Sequence, residues 1–227
     1  SSPSRGLGDV YKRQHTHSVK VGTLAESCAN AIGARALLCR VGSYYHDIGK
    51  IKKPEYYAEN QIGINKHDSI TPHMSAKILK QHVTDGLSLA DEYGLPNIVK
   101  DFIETHHARN RMEFFYNKAL EADKKVDENE FRYPGPKPRS KETGIVMLAE
   151  AIEAQANSLK NPTLEKFESM IDIAIRSRLE DGQLDECPLT MEDLQKIKGR
   201  RDGKHGLLPV LSGLYHSRPE YPSKDNE

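Results

Sequence analysis

Strand signals are nearly absent from these 227 residues, and their absence excludes sandwich and barrel architectures and leaves an all-α fold. Nor does any apolar run reach the roughly 18 residues that a membrane-spanning helix requires, and no signal peptide opens the chain. As given, it reads as soluble. Net charge is missing too: Lys plus Arg and Asp plus Glu count 33 each, so no overall field would recruit DNA, RNA or an anionic membrane. An anionic ligand would have to be held locally. Cysteine is scarce. Cys28, Cys39 and Cys187 are odd in number and lack metal-like spacing, which excludes a disulfide framework and suits a reducing compartment. Cys28 and Cys39 fall in helical apolar patterns and read as small buried hydrophobes. There is no internal repeat, and the length suits one domain with a sizeable core and a long insertion.

What the chain does have is histidine in helical settings. Tyr44-Tyr45-His46-Asp47-Ile48-Gly49-Lys50 places an imidazole beside a carboxylate at the end of an apolar run from about Ala34, with Gly49 as the expected helix terminator. Upstream, Val21, Leu24, Ala25, Cys28 and Ile32 recur at three- and four-residue steps, and His17 lies one turn before Val21 on that face. Downstream, Thr71-Pro72 opens a helix in which His82 follows Ile78 and Leu79 by four and three residues, so it faces inward. His73 does not share that face. A further helix from near Pro96 ends in His106-His107, whose directions differ by about 100°, a breadth that a dinuclear centre would use. Ser140 caps a helix carrying Ile145, Leu148, Ala149 and Ile152 inward, with Glu150 and Glu153 on its flank. Histidine nitrogens and carboxylates gathered from several helices form the ligand set of a catalytic transition-metal site.

Two stretches read as loops with ligand chemistry. Lys50 to Ile70 carries Lys50, Lys52, Lys53, Tyr56-Tyr57, Glu59-Asn60-Gln61 and His67-Asp68; Lys50, next to the motif, is the preferred phosphate contact. Ala108 to Ser140 has no clear period and reads as an ordered flap containing Phe114-Phe115-Tyr116 and Phe131-Arg132-Tyr133-Pro134-Gly135-Pro136-Lys137-Pro138. Lys137, Arg139 and Lys141 there are candidate phosphate contacts, with a solvated face as the plainer fate. Near the end, Leu164, Phe167, Ile171 and Ile175 share a face, Thr190 and Asp193 resemble a capping box, and Leu207, Leu208, Leu211 and Leu214 are helically spaced. Residues 1–14 have no apolar period and read as a disordered leader foreign to the domain, which would run over 15–222, leaving 223–227 as a tail.

His17-Ser18, His46-Asp47-Ile48-Gly49-Lys50, His82 and His106-His107 together resemble the HD superfamily of metal-dependent phosphohydrolases. With Glu59-Asn60-Gln61, residues 131–138, Lys141-Glu142-Thr143, Asp181-Gly182-Gln183-Leu184, His216-Ser217-Arg218 and Tyr221-Pro222, the chain resembles the cytoplasmic domain of the seven-transmembrane HD family from His17 to Pro222. A helical bundle is implied, acting as a phosphodiesterase that hydrolyses cyclic di-AMP to linear pApA on the inner face of a bacterial membrane. DNA and RNA are not expected partners. Within that resemblance, one metal is held by His17, His46, Asp47 and Glu150, and a second by His82, His106 and His107, with Asp47 bridging. Asp47 and Lys50 are the expected catalytic residues, and two iron or manganese ions sharing a hydroxide the expected cofactors. Glu150 stands where the family usually carries Asp. Arg13-Gln14 and Ala108-Arg109 stand where it carries Gly-Thr. A Glu after the paired histidines and a later Gly-Tyr-Pro, both features of cyclic di-GMP phosphodiesterases, are missing, so cyclic di-GMP is the weaker substrate. Two alternatives are a nucleotide-binding sensor without turnover and a phosphohydrolase of mononucleotides. Tyr56, Tyr57, Phe114, Phe115, Tyr116 and Tyr133 favour room for two bases over the latter.

Overall fold

The apolar stripe that begins at His17 belongs to a longer helix. In the computed structural model, which describes residues 3–57, 65–123 and 125–216, α1 runs over Pro3–Ile32. Val21, Leu24, Ala25, Cys28 and Ala29 on it are fully buried. Residues 3–14 thus continue a helix, where a disordered leader was expected. Extending a helix that is already nucleated needs no apolar period of its own. The chain then forms α2 (Ala36–Tyr45), α3 (Pro72–Glu92), α4 (Asn97–Thr105), α5 (Glu113–Ala122), α6 (Lys141–Ser158), α7 (Leu164–Glu180), α8 (Met191–Lys198) and α9 (Leu207–His216). No strand occurs among the described residues.

Helix α6 is the centre of the bundle. Its Ile145, Val146, Met147, Leu148, Ala149 and Ile152 are all fully buried, and at ~1.5–3 kcal/mol for each large side chain this helix is a main source of stability. The Ser140 hydroxyl accepts from the Thr143 amide, and the Thr143 side chain returns the bond, so its first turn is closed by a reciprocal cap. Helices α1, α2, α4 and α7 pack against α6, and α8 and α9 close the far side of α1. A helix apolar on nearly every side must be enclosed in this way. Glu150 and Glu153, carried on it, are consequently buried as well.

Two close backbone approaches bring the histidine-bearing elements together. A side chain at Gly42 would lie 2.4 Å from the Phe102 ring, so glycine lets α2 and α4 meet just ahead of His46 and His106. At Gly49 a Cβ would fall 1.9 Å from the His82 carbonyl oxygen. Gly49 therefore does not terminate α2 as expected: it sits inside a short 3-10 turn, Ile48–Lys52, that presses on α3.

Residues 108–123 and 125–140, read from the sequence as an ordered flap without a clear period, include regular helix. They contain α5 and a 3-10 turn, Glu128–Phe131, whose Met112, Phe115, Ala119 and Phe131 form a small separate core with Ala76 of α3. The spacing Met112, Phe115, Ala119 was a helical signal too short to stand out against the surrounding charge. Glu59-Asn60-Gln61, residues 217–218, Tyr221-Pro222 and the 223–227 tail lie outside the described residues.

Candidate metal centre

His46, His82 and His106 are each oriented by the helix that carries them. Nδ1 of His46, His82 and His106 donates to the carbonyl three residues earlier, at Ser43 (2.6 Å), Leu79 (2.5 Å) and Ile103 (2.8 Å). A carbonyl can only accept, so these rings carry their proton on Nδ1 and turn the Nε2 lone pair inward. His17 does the same by another route: its Nδ1 lies 2.7 Å from Oε2 of the fully buried Glu153.

Asp47 stands between two sets of these nitrogens. Oδ2 lies 3.5 Å from His17 Nε2 and 3.3 Å from His46 Nε2, while Oδ1 lies 3.5 Å from His82 Nε2 and 3.4 Å from His106 Nε2. Glu150 Oε2 completes the first set at 2.9 Å from His17 Nε2 and 3.2 Å from His46 Nε2. The longer Glu side chain therefore reaches the same nitrogens. His107 joins the second set, and the donor atoms of each group of four lie within 4.8 Å of one another. Two four-residue groups share one aspartate.

The polar atoms at this point fit a cation and little else. His17 Nε2, His46 Nε2, both Asp47 oxygens and Glu150 Oε2 are buried, and apart from Lys50 Nζ at Asp47 Oδ2 they face only one another and Nε2 of His82 and His106. His82 Nε2 and His106 Nε2 face each other at 3.0 Å, and both rings already spend their Nδ1 proton on a carbonyl. Two lone pairs at that distance require a cation or an extra proton between them. The nitrogen and carboxylate donor set suits a divalent transition metal.

Electrostatics divide the two groups. Burial by itself depresses the His17 imidazolium, but the Glu150, Asp47 and Glu153 carboxylates outweigh it and hold His17 well above the usual histidine range. Asp47 and Glu150 likewise outweigh burial at His46 and lift it to about 9. In the second group burial wins: His82 is pushed down to about 3, and His107 lies well below its ordinary value through burial and the neighbouring histidines. Burial would raise Asp47 and Glu150, yet both are held well below the carboxylate range, Asp47 by Lys50 and His46 and Glu150 by His17 and His46.

Lys50 is buried with its Nζ 2.6 Å from Asp47 Oδ2 and over the Tyr57 ring at 5.2 Å. Tyr133 stacks on His107 with ring centroids 4.1 Å apart and planes at 22°. A cavity of about 530 Å³ opens beside the first group, lined by Thr16, His17, Lys20, Lys50, Glu150 and Asn157 among others.

Several candidates lie elsewhere. His73 is exposed, and His67 is buried against Phe115 with its Nε2 2.7 Å from the Tyr56 carbonyl oxygen. Lys137, Arg139 and Lys141 pair with Asp185, Glu186 and Asp193, so they fasten the insertion and α6 to the segment after α7. Phe114 is exposed, and Phe115 and Tyr116 pack within the insertion's own core. Lys53 donates to Gln81. The role of Glu153 as partner of His17 was not anticipated. Its one signal is the spacing from Glu150, which puts both acids on the side of α6 that faces α1.

Compared with known proteins, the chain matches the HD domain family over residues 15–155. It is 44% identical over 207 residues to the cyclic-di-AMP phosphodiesterase PgpH of Bacillus subtilis (strain 168) and 41% identical over 207 residues to that of Listeria monocytogenes serotype 1/2a (strain 10403S). These alignments take in 91% of this chain but only 28% of each of those relatives. The crystal structure of the L. monocytogenes PgpH HD domain in complex with cyclic-di-AMP superimposes with a TM-score of 0.85 at 40% identity, covering 92% of this chain and 95% of that one.

Proposed function

This chain belongs to the HD domain family, and on that premise we propose that it is a metal-dependent phosphodiesterase that hydrolyses cyclic di-AMP to linear pApA. The observation that carries the reading is Asp47, whose two buried oxygens face separate histidine sets, Oδ2 towards His17 and His46 and Oδ1 towards His82 and His106. His17, His46, Asp47 and Glu150 would hold one ion, and Asp47, His82, His106 and His107 the other. Two such ions, iron or manganese by the donor set, would supply Lewis acidity to a phosphodiester and to an attacking water. Lys50 keeps Asp47 ionised, and in this reading its ammonium is the contact for a phosphate oxygen. Glu153 holds the His17 ring in one tautomer. The choice of cyclic di-AMP is supported by the likeness to an HD domain crystallised with that nucleotide. In the same reading the HD domain spans 15–222 and is the cytoplasmic part of a longer bacterial membrane protein, in keeping with the 28% of the relatives that it covers.

The test is linearisation of cyclic di-AMP by the purified chain with added Mn²⁺ or Fe²⁺, followed by chromatography, with Asp47→Ala as control and cyclic di-GMP as competitor. Formation of pApA that vanishes in the control is expected. Tight binding without turnover would instead identify a sensor, and neither binding nor turnover would remove the substrate assignment.

A further inference from the structure

His107 differs from its three neighbours in how it is held. Among the described residues its ring makes no hydrogen bond, whereas His46, His82 and His106 are each tied to their own helix. The ring of His107 is fixed instead by its stack on Tyr133, and its backbone by the turn that follows. That turn needs support, because Ala108 adopts φ 46°, a left-handed conformation that favours glycine.

Both supports lead to one carboxylate, Asp181, with Arg132 Nε also donating to Glu128 Oε1 at 2.7 Å. Arg132, next to Tyr133, forms a two-pronged pair with Asp181, Nη1 to Oδ2 and Nη2 to Oδ1, each 2.8 Å. The same Nη1 donates to the carbonyl of Arg109 at 2.8 Å, two residues beyond His107. Gln183, which is 2% exposed, accepts from the Arg109 amide at 2.8 Å and donates to Asp181 Oδ2 at 2.9 Å. The Tyr133 amide donates to the Asn110 carbonyl at 3.1 Å, and Gly135 lies so close to Glu104 that a Cβ would come within 2.0 Å of its carbonyl oxygen. Asp181 ends α7, 74 residues from His107. Yet it grips the arginine beside the stacking tyrosine and the glutamine that holds the turn.

We infer that Asp181 is a positioning residue for the His107 side of the metal centre, acting through Arg132 and Gln183 to hold Tyr133 against the His107 ring. The inference rests on the two-ion reading above. Partners outside the ligand shell set ligand geometry, and a doubly bonded arginine fork resists the rotation that a single contact would permit.

Equilibrium titration of the full chain with Mn²⁺, followed by electron paramagnetic resonance of the free ion, tests this without substrate. Asp181→Ala is expected to bind one Mn²⁺ as the parent chain does and the other at least tenfold more weakly, with helical content by circular dichroism unchanged. Tyr133→Ala should reproduce that pattern and Tyr133→Phe, which keeps the stack, should not. If Asp181→Ala does not fold, Arg132→Lys decides, since it keeps the charge and loses the fork. Two unchanged affinities, or equal weakening of both, would overturn the inference while leaving the two-ion reading intact. A parent chain that takes up fewer than two Mn²⁺ would overturn both.

Discussion

The 2.7 Å contact between His17 Nδ1 and Glu153 Oε2 joins the first helix of the bundle to the buried face of α6, and it continues outward as a chain. Glu153 Oε1 accepts from Asn157 Nδ2 at 2.6 Å, and Asn157 Oδ1 accepts both from Lys20 at 3.1 Å and from the Tyr215 hydroxyl of α9 at 2.8 Å. The C-terminal helix is thereby connected to the first histidine of the centre. Every member of the chain has a partner, which is what a buried polar network needs in order to stabilise the fold.

Removing this carboxylate should weaken the first ion specifically. Glu153→Ala leaves the His17 ring free to turn, and losses of partners outside the ligand shell typically cost roughly 10- to 100-fold in metal affinity. Glu153→Gln keeps an acceptor and should lose less. Metal retained after dialysis, measured by mass spectrometry of the element, is expected to fall in the order parent, Gln, Ala.

Metal uptake should depend on pH more steeply in the group of His17 and His46 than in the other. In the metal-free chain His46 titrates at about 9 and His17 well above the usual range, so both are protonated at neutral pH and must release a proton to bind a cation. Affinity at that group should therefore rise with pH, by up to about tenfold per unit for each proton released, until pH passes about 9. His82, at about 3, and His107 are already neutral, so they release none. The sign is opposite for stability. His46 is raised on folding from its unfolded value near 6.5, so the stabilisation of the metal-free chain is complete below about 6.5 and lost as pH rises through about 9. Calorimetry in buffers of different ionisation enthalpy should find more protons released at the His17 group than at the His82 group.

Asp47→Ala should remove activity and both ions, since the two groups share no other residue. It also takes the one aspartate from beside Lys50, His17 and His46, and losing one partner of a buried ionic cluster costs about 3–5 kcal/mol. Asp47→Asn keeps the shape and should unfold at a higher temperature than Asp47→Ala while remaining equally inactive. Thermal melts beside the cyclic di-AMP assay separate the two effects.

Periodicity carried most of the fold. His17, His82 and Glu150 could be placed inward because each borders an apolar stripe at three- and four-residue steps, and the caps at Thr71 and Ser140 form as their side chains imply. Local pattern failed where distant contacts decide. α5 is held by the five-residue core that it shares with Phe131 and Ala76, which no short window contains. Glu153 looked like the twin of Glu150, and only the tertiary position of His17 makes one a candidate ligand and the other its partner's support. The cations Lys137, Arg139 and Lys141 have acids waiting some 50 residues later, so their charge is spent on fastening the chain.

Gly49 separates packing from backbone freedom as the reason for a glycine. The residue does not have a positive φ, so an L side chain meets no torsional objection there. Its obstacle is α3: an added Cβ would lie 1.9 Å from the His82 carbonyl oxygen, 2.5 Å from the Gly86 amide nitrogen and 2.8 Å from the His82 carbonyl carbon, all backbone atoms that cannot rotate away. Gly49→Ala therefore has to push α3 off the motif, and His82 with it. We expect a loss of more than about 3 kcal/mol, above the usual overpacking range because backbone must move. Whatever folds should keep the His17 side of the centre and lose the His82 side. Gly213→Ala is the control: it lies in α9 with nothing within 4 Å of an added Cβ, and alanine there should be neutral or stabilise by up to about 1 kcal/mol. Chemical denaturation of the two variants checks the contrast, and equal losses in both would show that contact with α3 is not what Gly49 is for.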